Sequence, residues 1–158
     1  EILIGLVGSE MCIRDRLMEK EYGAIAVPIP ADGPYEYWDT KNLDGRGWLS
    51  MKHVAVQAGL GTLGKNTLFL NQLYGNRLTV GCVLTNIVVN PDSYAEPVCL
   101  PNCNECVTNC PSGALHVGSA AQSECRMKAY GKGEKEFNTV DCYRCRTVCP
   151  MRFGACVI

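Results

Sequence analysis

The sequence lacks two features that would assign it to a broad class at once. Its charges nearly cancel, with 15 Lys and Arg against 16 Asp and Glu, so the net charge is −1. This balance excludes a nucleic-acid or membrane surface that depends on bulk charge. The chain also has no apolar run long enough to span a bilayer. The best candidate, Leu78 to Val89, has only the length of a strand. The 158 residues, 47% of them hydrophobic, suffice for one core and a second small module.

Cysteine is abundant and unevenly placed. The chain has 11 cysteines, and most of them follow residue 98. This asymmetry separates a cysteine-poor region, 17–95, from a cysteine-rich region, 96–158, with a turn-rich connector at 90–97. Residues 1–16, which include Cys12, resemble a translated library adapter. We therefore leave them out of the fold prediction and expect the natural N-terminus to be missing.

Two cysteine motifs end in the same signature. They are Cys99-x3-Cys103-x2-Cys106-x3-Cys110-Pro111 and Cys142-x2-Cys145-x3-Cys149-Pro150. Bacterial ferredoxins bind [4Fe–4S] clusters with Cys-x2-Cys-x3-Cys-Pro, and the last cysteine of each run binds the cluster of the other run. The short loop surrounds one face of a cluster with thiolates, and the proline then redirects the chain. The spacing therefore predicts two [4Fe–4S] clusters.

The number of ligands indicates which further cysteine takes part. Two clusters need eight thiolates, and the second motif is one short because Thr139 stands where another ligand is usual. Cys125 is the natural replacement, and Cys156, near the end of the chain, is the weaker alternative. We predict that Cys99, Cys103, Cys106 and Cys149 bind one cluster and that Cys110, Cys125, Cys142 and Cys145 bind the other.

Other interpretations of these cysteines remain open. Pairs of Cys-x2-Cys also form structural zinc knuckles, and many cysteines suit a disulfide framework. The x3 gap after Cys99 is longer than usual, so a single cluster is a further alternative. Cys82 lies in an apolar strand pattern and is predicted to be a small buried hydrophobic residue.

The cysteine-poor region predicts a mixture of helices and strands. The predicted elements are a strand at Ala24–Ile29, a loop at 30–48, a helix over Met51–Ala58 capped by Ser50, and strands at Leu68–Leu70 and Leu78–Val89. Gly59 or Gly61 is expected to end the helix, and a hairpin-like turn at 74–76 to join the last two strands. The loop carries Tyr35, Tyr37, Trp38 and Trp48 with Asp39 and Asp44. Such a composition suits a ligand pocket or a surface Ω-loop.

The glycine-rich segment from Gly59 to Lys65 matches G-x-G-x-x-G. The dinucleotide fingerprint must follow a strand and open a helix, whereas this segment follows a helix and precedes a strand, which excludes a Rossmann site. It remains either a loop where backbone approaches a ligand, with Lys65 beside it, or a tight turn with no ligand. His53, in the preceding helix, is by itself more typical of a packed or solvated residue.

The segment Met51–Asn66, the predicted hairpin and the double cysteine motif together resemble epoxyqueuosine reductase. That family is related to the reductive dehalogenases, and the resemblance covers about residues 17–155. It implies an α+β chain, with a partial nitroreductase-like α/β corrinoid-type domain followed by a bacterial 2×[4Fe–4S] ferredoxin-like domain. It also implies that electrons pass from an external ferredoxin- or flavodoxin-type donor through both clusters to cobalamin. An aspartate then supplies a proton to the epoxide of a modified tRNA nucleoside.

The resemblance also suggests functional residues. The corrinoid site would include His53, Gly59, Leu60, Gly61, Gly64 and Lys65. The family's spacing places its aspartate on Gly45, so Asp44 is predicted to serve as proton donor after a one-residue shift, or else the role is vacant. The family's C-terminal helical repeats and much of its corrinoid domain have no counterpart, and we expect a fragment.

The sequence predicts a cytoplasmic, oxygen-sensitive iron–sulfur oxidoreductase of the queuosine-biosynthesis type, with tRNA or a small molecule as substrate and no membrane partner. The alternative is a ferredoxin-type electron carrier with no substrate of its own. The cysteine-rich region suits both equally. The α/β region favours the enzyme, because a simple carrier does not need its glycine-rich and aromatic segments.

Overall fold

The computed structural model describes residues 26–29, 35–47, 49–86, 88, 90 and 92–155. The expectations for residues 1–16, Trp48 and Cys156 lie outside these ranges. The helices are α1 (Met51–Gln57), α2 (Glu105–Thr108), α3 (Gln122–Ala129) and α4 (Arg144–Thr147). The strands are β1 (Ala26–Ile29), β2 (Tyr35–Asp39), β3 (Asp44–Gly47), β4 (Thr62–Leu63), β5 (Phe69–Leu70), β6 (Cys82–Thr85), β7 (Leu115–His116), β8 (Ser119–Ala120), β9 (Tyr130–Lys132) and β10 (Asn138–Val140). The prediction of a mixed helix and strand protein is confirmed.

The strands pair antiparallel and only in twos within the described ranges. The pairs are β1 with β6, β2 with β3, β4 with β5, β7 with β8, and β9 with β10. Short ladders of this kind leave much of the backbone in turns, whose polar groups need partners outside regular structure. Several of those partners are side chains that donate hydrogen bonds to carbonyl groups of the two cysteine motifs.

Helix α1 forms where the sequence predicts it. Ser50 is its N-cap residue, and the Ser50 carbonyl accepts hydrogen bonds from the backbone N–H groups of His53 and Val54, each at 3.0 Å. The helix ends at Ala58, and Gly59 follows with φ +73°. This left-handed conformation favours glycine and allows the Leu60 N–H to bond back to the helix. The chain then leaves the helix in the direction of β4.

The prediction of a loop over 30–48 is wrong for most of the described part of that segment. β2 and β3 form an antiparallel hairpin in which Asp39 lies opposite Asp44. The Asp39 carboxylate accepts hydrogen bonds from the backbone N–H groups of Lys41 (2.9 Å) and Asn42 (3.2 Å), which closes the turn. The aromatic residues of β2 favour a strand, and an aspartate that bonds its own backbone favours the turn.

The predicted hairpin between residues 68 and 89 is also wrong. β5 pairs with β4, and the apolar run contributes only β6, which pairs with the distant β1. The turn at 74–76 instead closes a bridge between Asn71 and Gly75. A local turn signal cannot identify a partner strand that lies more than fifty residues away along the chain.

The hydrophobic core joins the two regions of the sequence. Leu70 packs with Val98 and Cys149, and Cys99 and Met151 pack against them. Leu70 is 1% exposed, so burial at this point links β5 directly to two of the predicted cluster ligands. None of the helices in the described ranges has the length and apolar character needed to cross a bilayer.

Candidate metal centre

Four cysteines line one cavity in the cysteine-rich region. They are Cys99, Cys103, Cys106 and Cys149, which we call the first cysteine group. About 320 Å³ of this cavity is free of protein atoms, part of it open to solvent. Cys106 lies on α2, whereas Cys149 comes from the second motif, just after α4. The fold therefore brings the last cysteine of the second motif to the first motif.

Three of the other four cysteines line a second, larger cavity. Cys125 on α3 lines it together with Cys142 and Cys145, at either end of the second motif's Cys-x2-Cys. Cys110 does not line this cavity, but both Cys110 and Cys142 act electrostatically on Cys125. We call Cys110, Cys125, Cys142 and Cys145 the second cysteine group. Cys106 acts on Cys145, so the two groups are neighbours.

Burial raises the pKa of four of these thiols. They are Cys106, Cys125, Cys145 and Cys149. Nearby thiols add to the effect, as Cys99 does for both Cys106 and Cys149. Deprotonating a whole group would crowd negative charge in a poorly solvated space, and a bound cation would remove that penalty.

Cys110 behaves differently from the rest. Burial by itself would raise the pKa of its thiol, but hydrogen bonds outweigh that effect and lower the pKa. The Ser112 hydroxyl lies 3.6 Å from the Cys110 sulfur, and the backbone N–H groups of Ser112, Ala114 and Leu115 also point to it. Sulfur ringed by N–H donors is the environment that stabilises a thiolate and tunes an iron–sulfur cluster.

The Lys65 side chain contacts the first motif, although in the sequence Lys65 belongs to the glycine-rich segment. Its ammonium donates hydrogen bonds to the carbonyl of Pro101, to that of Cys103 at 2.8 Å and to Asn104 Oδ1 at 3.4 Å. The side chain also lines the cavity of the first cysteine group. Lys65 therefore holds the Cys103 loop and places a positive charge beside four sulfur atoms.

Two buried asparagines that the sequence did not single out hold the second motif. Asn66 Nδ2 donates to the carbonyl of Cys145 at 3.2 Å, and Asn76 Nδ2 donates to that of Arg146 at 3.3 Å. Asn66 is 3% exposed and Asn76 1%, and a buried amide is retained where it satisfies backbone groups. A single sequence offers no signal that separates them from ordinary turn asparagines.

The glycines of the predicted corrinoid segment pack against protein. A Cβ on Gly61 would overlap the carbonyl oxygen of Leu70, and one on Gly59 would overlap that of Ser93. At Gly64 a Cβ would lie 2.9 Å from Leu70 Cδ1. Protein atoms occupy the space that each missing side chain leaves, so close packing of the chain explains these glycines.

The six predicted corrinoid residues do not together line either of the two cysteine cavities. His53 is exposed and lines the larger cavity, while its Nδ1 lies 2.7 Å from the Ser50 hydroxyl. Lys65 lines the other cavity, and Leu60 is exposed to solvent. Of the predicted set, the two cysteine cavities therefore take in only Lys65 and His53.

The β2–β3 hairpin packs on the helix that carries Cys125. The Gly45 N–H donates to Gln122 Oε1 at 2.7 Å, and Arg126 Nη1 donates to the Leu43 carbonyl at 3.1 Å. The Arg126 guanidinium also lies 4.8 Å from the Trp38 ring centroid, within the range of a cation–π contact. The aromatic segment thus supports the second cysteine group.

Asp44, the predicted proton donor, lies on β3 and is exposed. Its Oδ1 accepts a hydrogen bond from the Gly45 N–H at 2.9 Å, and it does not line the larger cavity. Its neighbour Gly45 nevertheless bonds Gln122, which does line that cavity. Asp44 is therefore close to the rim, one residue from a contact with the cavity wall.

None of the eight cysteines of the two groups forms a disulfide in the described ranges, whereas a disulfide framework would pair them. In the same ranges, no three His, Cys, Asp or Glu side chains converge on a point where a single ion would be held. The arrangement is instead two sets of four cysteines. One set lines the smaller cavity, and in the other set three cysteines line the larger cavity and Cys110 acts on Cys125.

The chain is similar in sequence to known epoxyqueuosine reductases. Epoxyqueuosine reductase from Listeria monocytogenes is 34% identical over 125 residues, and that from Bacillus subtilis is 33% identical over the same length. The resemblance to epoxyqueuosine reductase is confirmed. The matches cover 72% and 73% of this chain, and the chain spans about a third of the relatives' length, 32% in both cases. No protein-family model matches the chain.

Solved structures of epoxyqueuosine reductases share the fold. One from Bacillus subtilis superposes with a TM-score of 0.71 at 24% identity, covering 95% of this chain and 38% of that one. A selenomethionine-labelled epoxyqueuosine reductase gives 0.70 at 26% identity, with 95% and 39% covered. A third, with a tRNA-Tyr epoxyqueuosine-modified stem loop, gives 0.68 at 22% identity, with 96% and 39% covered.

Proposed function

We propose that this chain is part of an oxidoreductase similar to epoxyqueuosine reductase and that two [4Fe–4S] clusters carry electrons through it. One observation carries the proposal: the fold sorts eight cysteines into two groups of four by exchanging Cys110 and Cys149 between the motifs. Bacterial two-cluster ferredoxins are built on the same exchange. Both the sequence relatives and the structural neighbours are named as reductases.

The residues of the first cysteine group fit such a cluster. Four sulfur donors face one cavity, Leu70 and Met151 cover its apolar side, and Lys65 supplies a positive charge. A [4Fe–4S] cluster, when bound, takes up and passes on one electron at a time. The apolar cover keeps water away, and the Lys65 charge favours the reduced, more negative state.

The second cysteine group lies where electrons can move between the two sites. Cys145 and Cys106 belong to different groups and interact with each other. The larger cavity is also more open to solvent, and Lys52, Arg126 and Arg146 line it. These positive charges suit an anionic substrate or partner nearby.

We keep tRNA as the proposed substrate, because a structural neighbour is an epoxyqueuosine reductase with a modified tRNA stem loop. A corrinoid is a different matter. Of the six residues predicted to bind it, only His53 lines the larger cavity, and protein atoms already fill the space beside the glycines. A corrinoid in the larger cavity would therefore meet His53 and none of the other five predicted residues.

Asp44→Asn is expected to lower turnover of an epoxyqueuosine-containing stem loop at least 100-fold and to leave chemical reduction of the clusters unchanged. The carboxyl group of Asp44 is the predicted proton donor, and an amide in its place cannot deliver a proton to the substrate. Anaerobic turnover and reduction by dithionite measure the two effects separately.

Asp39→Asn is the matched control from the same hairpin. Hydrogen bonds from the Asn42 side chain, and from the backbone N–H groups of Asn42 and Lys41, lower the pKa of Asp39. These bonds hold the Asp39 carboxylate in the turn, so its variant should keep most of the turnover. Equal turnover in the Asp44 variant and the unmodified protein would remove Asp44 from the mechanism.

Anaerobic reconstitution tests the function itself. The protein is expected to bind about eight iron atoms and eight sulfides per chain and to bleach in the visible range when dithionite reduces it. Metal analysis after reconstitution with iron and zinc together provides the comparison. Stoichiometric zinc without iron would show a structural metal site, and the proposed electron path would then be wrong.

A further inference from the structure

Three exposed arginines lie close together on the surface near the second motif. They are Arg77, Arg146 and Arg152, which we call the arginine patch. The guanidinium groups of Arg77 and Arg152 lie 5.4 and 5.0 Å from the centroid of the same ring, that of Phe153. Arg77 and Arg146 line one small surface cleft. The patch is therefore one continuous basic surface.

No carboxylate neutralises these charges within the described part of the chain. Arg146 Nη1 donates to the Asn76 carbonyl and Arg152 Nη1 to the Thr147 carbonyl, each at 2.6 Å. These contacts orient the guanidinium groups but do not cancel their charge. Since the whole chain has a net charge of −1, a local excess of positive charge is not a consequence of composition. Like charges held together cost stability and indicate a binding role.

The patch lies directly beside the second cysteine group. Arg146 follows Cys145 in the sequence and lines the same cavity as Cys142 and Cys145. Tyr143, which is 59% exposed, lines both this cavity and the small cleft. Together with the exposed Phe153 it places apolar surface among the charges. Any molecule bound here comes close to the sulfur donors of the second group.

We propose that the arginine patch is the docking surface for an acidic one-electron carrier protein of the flavodoxin or ferredoxin type. This inference rests on the proposed function, since it names where electrons enter. One electron leaves the reduced carrier, which becomes oxidised, and reduces the centre held by the second cysteine group, with no bond formed or broken. Weak redox complexes are small and depend on charge steering, as this patch would provide.

The patch favours a protein donor over RNA because of its position. A donor must come close to a cysteine ligand, and Arg146 is adjacent to one. The proposed proton donor, Asp44, lies instead on the hairpin that packs against α3, where Gly45 contacts Gln122 and Arg126 stacks on Trp38. Gln122 and Arg126 line the larger cavity together with Arg146, but Arg77 and Arg152 do not line it. RNA that reaches Asp44 across this cavity therefore need not contact the outer part of the patch.

Arg77 is the position to change, because its guanidinium makes no hydrogen bond in the described part of the chain and only stacks on Phe153. We expect Arg77→Gln to slow reduction of the reconstituted protein by reduced flavodoxin about threefold at low salt, and Arg77→Glu about tenfold or more. The differences should shrink as salt rises. Stopped-flow absorbance measures these rates. The control Lys135→Gln, on an exposed residue of the turn between β9 and β10, should leave the rate unchanged.

Reduction by dithionite, which needs no docking surface, should be equally fast in all variants. Flavodoxin-driven rates that do not respond to Arg77→Glu would overturn the inference, and weaker binding of a tRNA stem loop in that variant would make the patch an RNA surface. Loss of dithionite bleaching or of iron in the unmodified protein would count against the proposed function instead. A salt-dependent flavodoxin binding titration on the protein as purified still decides the docking question in that event.

Discussion

Cys125→Ser is expected to reduce the iron content of the anaerobically reconstituted protein from about eight to about four atoms per chain. Cys125 lies on α3, away from both motifs, and interacts with Cys110 and Cys142 across the second cysteine group. Serine keeps the shape of the side chain but binds iron poorly, so only the first centre should remain complete. Iron and sulfide analysis, together with electron paramagnetic resonance of the reduced protein, distinguishes one cluster from two.

Cys82→Ser is the matched control for that experiment. Cys82 is half-buried on β6 and lines neither cysteine cavity, so its variant should retain about eight iron atoms. Full iron content in the Cys125 variant would show that another residue completes the second centre. Cys156 is the alternative ligand that the sequence offers. A wild-type value near four would instead favour the single-cluster interpretation.

Gly61→Ala is expected to lower the free energy of unfolding by about 3 kcal/mol or more, the range typical of severe overpacking. Its Cβ would overlap the Leu70 carbonyl oxygen and would lie 2.8 Å from Phe69 Cζ. The backbone of β5 cannot move away easily, because Leu70 is buried in the core beside Cys149. Urea denaturation of the purified chain, followed by circular dichroism, measures the loss.

Gly47→Ala provides the comparison, since its Cβ would meet only the Leu49 carbonyl at 3.7 Å. That substitution should change the free energy of unfolding by less than about 0.5 kcal/mol. If Gly61→Ala were equally harmless and instead altered cobalamin binding, Gly61 would regain the corrinoid role that the family resemblance suggests. The two variants therefore separate packing from ligand binding at this segment.

Residues of the cysteine-poor region hold the two cysteine motifs in place. The stability of the fold and the proposed chemistry therefore depend on the same contacts. Lys65, Asn66 and Asn76 each donate to carbonyl groups of the two motifs, and Leu70 packs on Cys149. Short loops that hold metal ligands cannot keep their shape alone, because few of their backbone groups are paired in regular structure. A substitution in this region should therefore lower both the occupancy of the proposed clusters and the stability of the fold.

The local features of this protein could be predicted from its sequence. Cysteine spacing predicted two groups of four, because ligand loops are short and their geometry depends on neighbouring residues. Helix α1 with its cap at Ser50 and its end near Gly59 was predictable for the same reason. Local context also excluded a Rossmann site, since a helix rather than a strand precedes the glycines.

The roles of residues that are distant in sequence became apparent from the fold. It paired β6 with β1, placed Lys65 on the Cys103 loop, and packed the β2–β3 hairpin against the helix of Cys125. It also gathered Arg77, Arg146 and Arg152 around one surface. These contacts join segments up to about eighty residues apart, and a residue type alone does not say which of many possible partners the packing of the core will bring to it.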